Sequence, residues 1–342
     1  MTRRPVTFFA LATLTPLPLL GLAAVLGGAW VWAALAYMSL LAGLADALMA
    51  RPAPDAPEDA SFPAADALSV LLALAHFGLL ALAVRAVSGH AGLSTPEQIG
   101  TFFAFGLFFG EVSNSNAHEL IHRSRKPLFR LGMWVYISLL FGHHTSAHRH
   151  VHHRFVATPD DPNSPRPGEG FYRFAPRAWI GSFRAGLRAE RALGRQRVYG
   201  LYLGGAVLAL ALAGLAYGIT GLLAYLALAG YATMQLLLSD YVQHYGLNRG
   251  RRPNGKYLPV TAAHSWNAPH RFSSHLMLNA PRHSDHHAHP ARPYPALHLS
   301  GPETMPTLPH SLPVMAMIAL VPPLWRRKMN RRAAKWRHAA QV

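Results

Sequence analysis

Between Pro5 and Ala45, and again between Val198 and Ser239, the chain carries no Asp, Glu, Lys or Arg. A helix crosses the hydrocarbon of a bilayer in roughly 20 apolar residues, so each stretch is long enough for two crossings joined by a turn. Gly27 and Gly28 are placed for the first turn, and Gly218 to Gly221 for the second. Two shorter apolar runs add one crossing each. The expectation is an all-α integral membrane protein with about six transmembrane helices, at residues 8–27, 29–49, 67–84, 98–117, 199–217 and 221–239, within a single domain covering 1–342. Composition agrees, with 51% of residues hydrophobic and 14% charged, a balance that suits lipid better than water. The first 27 residues also have features of a secretory signal peptide, but the apolar run continues past any such core, which predicts a retained span.

The segments between the spans are polar and mostly basic. Residues 46–66 form a linker rich in Pro, Ala and acid, expected to be exposed and irregular. Leu131 to Gly142 is apolar but too short to cross, and reads as a re-entrant or interfacial helix. The formal charge is +17, with fourteen Lys and Arg against four acids in residues 123–200, and fourteen against three in 240–342. An excess of positive charge beside spans marks the cytoplasmic side. Six spans then place segments 118–197 and 240–342 together as a cytoplasmic cap, on what reads as a bacterial inner membrane. The acidic linker falls on the same side against the trend, but acids weigh little in the rule. The basic residues form no nucleic-acid recognition module, and the tail WRRKMNRRAAKWRH reads as a segment lying at the membrane surface. There is no cysteine, which excludes disulfides, thiolate metal sites and iron–sulfur clusters.

Seventeen of the twenty-one histidines lie between His118 and His298. They gather in four boxes: HELIH at 118–122, HRHVHH at 148–153, DYVQHYG around His244, and PRHSDHHAHP with His283, His286 and His287. Residues four apart on a helix share a face, so His118 and His122, His148 and His152, and His283 and His287 are each expected to reach one ion. His153 and His286 project about 100° round the helix and are expected to reach a second. Together His118, His122, His148, His152, His153, His244, His283, His286 and His287 would fill two sites of four or five nitrogens. Imidazole suits iron, copper, zinc and nickel alike, so the ligand set does not name the metal. Glu119, Asp240 and Asp285 are placed to orient these imidazoles from behind, as carboxylates commonly do.

Blander readings cover the other histidines. His76, His90, His310 and His338 read as satisfied or surface residues, and His143, His144, His150, His264, His270, His275, His289 and His298 mostly as hydrogen-bonding or surface groups. HELIH also has the H-E-x-x-H spacing of a zinc protease, but that accounts for two of the nine histidines. A metal transporter would carry ionisable groups inside its spans, where here only His76 falls mid-span.

In order and approximate separation, HELIH, HRHVHHRFVATPDDP, DYVQHYGLNR, HSWN and RHSDHHAHPARPY resemble the boxes of the membrane-bound di-iron alkane 1-monooxygenases, relatives of xylene monooxygenase and more distantly of fatty-acid desaturases. The resemblance covers about Asn116 to Leu297. It implies a six-helix bundle, two non-haem irons held by the nine histidines beneath the cytoplasmic face, and a substrate channel between the helices. O2 is the implied co-substrate, and an apolar substrate arrives from membrane lipid to be hydroxylated at the terminal carbon of an alkane or similar chain. An unactivated C–H bond calls for a redox-active metal, which fits iron and not zinc. Without cysteine the chain cannot carry its own rubredoxin or ferredoxin. The resemblance implies a separate donor of that type with its reductase, and a basic face would attract a small acidic carrier.

Desaturation, or hydroxylation of an aromatic methyl group, is the nearest alternative. The sequence departs from the family at Ala147 and Gln243, where glutamate is usual, and at Asp240, where asparagine is common. Oxygenase chemistry is therefore implied more firmly than alkane specificity. Trp30, Trp32, Tyr37, Phe105 and Phe109 read as lipid-facing or core packing.

Overall fold

The structure, a computed structural model, describes residues 3–49, 52–301 and 303–339; the side chain of His338 lies outside that description. Among the described residues all regular structure is helical, with three isolated β-bridges and no strand. Four helices are long and apolar enough to cross a membrane: Thr7–Leu26 (α1), Ala29–Leu48 (α2), Pro63–Val87 (α3) and Arg197–His244. Between α1 and α2 the chain turns on Gly27 and Gly28, both at positive φ (66° and 59°). Glu97 fastens this turn, accepting from the Gly28 N–H at 2.6 Å, and its other carboxylate oxygen closes a capping box with Ser94.

Glu97 lies in the first turn of α4, which runs from Thr95–Phe108 through a π turn, Phe109–Ser113, into Asn114–Ile121. The expected span 98–117 therefore lies in a helix interrupted by a π turn. Lys126–Ser138 (α5) packs back onto the end of α4 rather than lying at a surface. A Cβ on its Gly132 would sit 2.8 Å from the Ala117 carbonyl oxygen, and the Tyr136 hydroxyl donates to the Asn114 carbonyl at 3.1 Å. The second box is the short helical stretch α6, His144–Ala147, a π turn at His148–His152, and His153–Phe155. Phe171–Ala192 (α7) leads into α8, Arg197–His244, which breaks at Tyr217 and Gly218, the latter with φ 62° and ψ −155°. Around the break Leu212, Leu215 and Ile219 are 58%, 85% and 66% exposed, a surface suited to lipid.

Short helices Arg271–Leu276 (α9) and His283–Ala288 (α10) carry the remaining polar segment, followed by Leu312–Ala319 (α11) and Pro322–Ala339 (α12). The basic tail is a helix docked on the protein along one side. Trp325, Met329 and Ala333 are buried, Trp325 against Tyr241 and Tyr245, while Arg326, Arg327, Arg331 and Arg332 stay exposed.

The acidic linker is irregular as expected over residues 52–62, but its ends are helical, with Asp46 in α2 and Asp66 in the first turn of α3, and it is not a free loop. Asp46 accepts the Phe272 and Ser273 N–H groups at the start of α9, at 2.8 and 3.0 Å. Asp55 pairs with Arg282, and Asp66 with Arg123 at 3.2 Å. Arg282 has a side chain only 3% exposed, and a buried guanidinium needs a counter-charge. The linker supplies it.

Candidate metal centre

The end of α4, the π turn of α6, the end of α8 and α10 bring the box histidines into two groups. One holds His118, His122, His148, His153 and His286, and the other His152, His244, His283 and His287; in each, the nitrogens lie within 4.8 Å of one another. In the first, His153 Nε2 is 2.9 Å from His148 Nε2 and 3.1 Å from His286 Nε2. In the second, His283 Nε2 is 3.0 Å from His244 Nε2 and 3.1 Å from His287 Nε2.

The pairing in the second box differs from the helical expectation. His148 and His152, four apart, fall in different groups, and His148 shares its group with His153, five apart. The π turn at His148–His152 is the reason: i→i+5 hydrogen bonding brings residues five apart onto one side. On the ordinary helices, His118 and His122 share one group and His283 and His287 the other, with His286 turned across to the first.

The donor set fits metal ions. Two nitrogens bound at right angles to one ion at roughly 2.1 Å stand about 3.0 Å apart, the separation found here. His118 Nε2, His122 Nε2 and His152 Nε2 are buried without a hydrogen-bond partner, a state that a metal would relieve. Burial first, and neighbouring imidazoles second, push His148, His153, His283, His286 and His287 well below the usual histidine range. They are held neutral, the form that binds metal.

Asp161, in the TPDDP loop, is the carboxylate that touches this array. Its Oδ2 accepts from His152 Nδ1 at 2.8 Å and from the Ser164 hydroxyl at 2.7 Å, while Oδ1 accepts the Asn163 N–H at 3.0 Å. Burial alone would lower the pKa of His152, but the charge and hydrogen bond of Asp161, aided by Asp240, leave it raised. The three carboxylates expected behind the imidazoles bond elsewhere. Glu119 meets Arg123 at 2.8 Å and the Tyr294 N–H at 3.2 Å. Asp240 accepts from Asn163 Nδ2 at 2.6 Å and acts on His152 only through space. Asp285 holds Arg292 at 2.7 Å, His289 at 2.9 Å and the His298 N–H at 2.9 Å. Asp161 stands nine residues after His152, and only the fold of its loop shows that it returns.

At the two positions where glutamate is usual, Gln243 donates to the Ala280 carbonyl at 3.0 Å and accepts from Ser239 at 2.9 Å. Ala147 is buried and hemmed in by Gly186 of α7, where a Cβ would lie 3.1 Å from the Ala147 nitrogen. Of the other histidines, His76 sits between Ser113 and Ser138 at 2.9 Å each, His143 meets Ser182 at 3.2 Å, and His150 faces Glu190 at 3.5 Å. His144 comes closer to the centre than its place outside the paired boxes suggests, with its ring 4.9 Å from that of His148.

A cavity of about 570 Å³ starts at His118, His148 and His283 and runs between α2, α4, α8 and α11. Its wall is mainly apolar, with Met38, Phe103, Leu107, Met234 and Leu312 among the lining residues. It reaches the outer surface at Leu40 and Met317, which are 75% and 67% exposed. The expected packing aromatics are not among its lining residues: Phe105 and Phe109 are fully buried elsewhere in the core, whereas Trp30 and Trp32 are 41% and 49% exposed.

An all-helical apolar scaffold with two imidazole groups at the inner end of an apolar cavity defines a membrane-embedded histidine-box protein. Residues 94–319 match the family described as fatty acid desaturase. The chain is 31% identical over 318 residues to alkane 1-monooxygenase 2 of Pseudomonas aeruginosa, covering 88% of this chain and 84% of the relative. It is 29% identical over 321 residues to alkane 1-monooxygenase 2 of Alcanivorax borkumensis, covering 89% and 82%. Against the hydroxylase component of xylene/toluene monooxygenase of Pseudomonas putida the figures are 28% over 316 residues, 87% and 81%. The chain belongs to the fatty acid desaturase family, and within it groups with the alkane 1-monooxygenases as an integral membrane protein.

Proposed function

We propose that this protein is a membrane di-iron monooxygenase that hydroxylates the terminal carbon of an alkane or similar apolar chain, using O2 and electrons from a separate carrier. The observation that carries the reading is the meeting of nine imidazoles with the inner end of an apolar cavity that opens on the lipid-facing surface. The nine histidines would hold the two irons, five in one group and four in the other. The iron pair, when bound, supplies the redox chemistry that activates O2 against an unactivated C–H bond.

The chain's own residues do the positioning. The Asp161 carboxylate accepts a hydrogen bond from His152 Nδ1–H, which fixes the tautomer and leaves Nε2 free for metal. His118, His148 and His283 line the cavity, so a chain threaded along it presents its end to ligands of both ions. Phe103, Leu107 and Met234 exclude water and hold the chain by apolar contact. Glu119 is bound to Arg123 and to the Tyr294 backbone, which argues against its serving as a protease base.

The scaffold is one unit of six crossings, made by α1, α2, α3, α4 and the two limbs of α8. The ties from the 46–66 linker to Arg123 and Arg282 support this count, because they hold the linker on the same side as the boxes. The basic excess supports placing that side in the cytoplasm, beneath what we read as a bacterial inner membrane. Electrons come from a rubredoxin- or ferredoxin-type protein with its reductase; the absence of cysteine and the exposed Arg184, Arg188 and Arg191 of α7 support a separate acidic donor. The test is turnover of a medium-chain alkane by the iron-loaded chain with such a donor under isotopically labelled O2. A primary alcohol carrying one labelled oxygen is expected; an alkene, or an alcohol without label, refutes the reading.

A further inference from the structure

Glu111 sits on the cavity wall of α4, 8% exposed, with its Oε2 buried and without a hydrogen-bond partner. Its side chain has no ion pair or hydrogen bond among the described residues. A carboxyl in an apolar wall among membrane helices is costly, and such a group is retained where it has a ligand or partner to meet.

The two amide side chains on the same wall are already engaged with the backbone, and the Tyr231 ring also lines the cavity. Asn114 Nδ2 donates to the Ala232 carbonyl at 2.9 Å, and Gln235 Nε2 donates to the Gly106 carbonyl at 2.8 Å. Glu111 lies within the π turn Phe109–Ser113, a local widening of the kind often found at functional sites. Glu111, Asn114, Ser115 and His118 all line the cavity, forming a polar stripe that ends at the metal centre. Seven helical residues separate Glu111 from His118, roughly 10 Å along the axis.

We propose that Glu111 recognises a hydroxyl group on the substrate, so that this cavity prefers medium-chain primary alcohols to plain alkanes and oxidises them at the far methyl end. This rests on the terminal-hydroxylase reading and deepens it. A plain alkane leaves the carboxyl unpaired, and sites built to bond a hydroxyl reject analogues that lack it. An alcohol whose hydroxyl meets Glu111 lays its chain along the cavity and brings its methyl group to His118. The methyl C–H bond is replaced by C–OH, which gives an α,ω-diol. The second oxygen atom leaves as water, using two electrons from the carrier protein and two protons.

The test uses the full chain in lipid nanodiscs with 1-decanol and n-decane. The iron-loaded chain, with its electron supply, is given both together, and the metal-free chain is measured separately for retention of each labelled compound by equilibrium dialysis. The expected result is a preference for 1-decanol of roughly tenfold or more in both measurements. Glu111→Leu is expected to bring both ratios to about one or below, and Glu111→Gln, which can still bond a hydroxyl, to keep most of the preference. Equal or better retention of decane by the wild-type chain, or a Glu111→Leu protein that keeps the preference, overturns the proposal. If neither compound is oxidised, the hydroxylase reading fails while retention still decides the role of Glu111. Melting temperature identifies a misfolded variant, in which case the wild-type ratio and Glu111→Gln decide.

Discussion

Asp161 shows how far a single residue can be read from its surroundings in the chain. It sits in a Pro-rich stretch that reads as a turn, yet its carboxylate is buried against His152 at 2.8 Å and held by Ser164 and Asn163. The histidines were legible because imidazoles at helical spacing are rare without a metal. Asp161 was not, because its role depends on a loop that folds back, and Glu119, Asp240 and Asp285 stood closer in sequence while bonding elsewhere. Asp161→Ala is expected to weaken metal binding by about 10- to 100-fold, read by chelator competition on the purified chain. An unchanged affinity would show that the bond to His152 does not tune the centre. Within the first group, His153 Nε2 faces both His148 and His286. His153→Ala should lower metal occupancy and abolish turnover, whereas His310→Ala, at an exposed position that belongs to neither group, should change neither.

At the scale of elements, the apolar runs located α1, α2, α3 and α8 because lipid imposes length and composition on a spanning helix. The turn at Gly27–Gly28 and the break at Gly218 were legible for the same reason, since few other residues tolerate their backbone angles. The π turns were not legible. No composition signal distinguishes HRHVH as a π turn from an ordinary helical turn, yet this one feature sends His148 and His152 to different groups. The packing of α5 against α4 was also hidden, since a short apolar helix in a membrane protein has several places to go. Their contact depends on Gly132, where a Cβ would lie 2.7 Å from the Leu120 Cβ and 2.8 Å from the Ala117 carbonyl oxygen. Gly132→Val is expected to destabilise the protein by about 1–3 kcal/mol and to lower metal occupancy, because α4 carries His118 and His122. A thermal melt and metal analysis of the variant check this, and a wild-type melting temperature would show that the two helices separate at little cost.

At the scale of the whole molecule, charge counting indicated which segments lie together but could not say what ties them. The linker acids do so, Asp66 to Arg123 and Asp55 to Arg282, which joins an acidic segment to two basic ones. The cysteine-free chain makes the topology testable, since a single introduced thiol is the only reactive one. Thr220→Cys, beside the break in α8, should react with an impermeant maleimide from the periplasmic side of intact cells, and Arg252→Cys only after the membrane is opened. The reverse pattern would invert the proposed orientation. The central claim, that the bundle delivers an apolar chain to two irons held by imidazoles, is tested most directly by the metal itself. Iron analysis and iron-edge X-ray absorption on the full-length protein should find about two irons per chain, matching the two histidine groups. The nearest shell should be imidazole nitrogen at roughly 2.1 Å with no sulfur. A single zinc per chain, or iron without imidazole scattering, would contradict it.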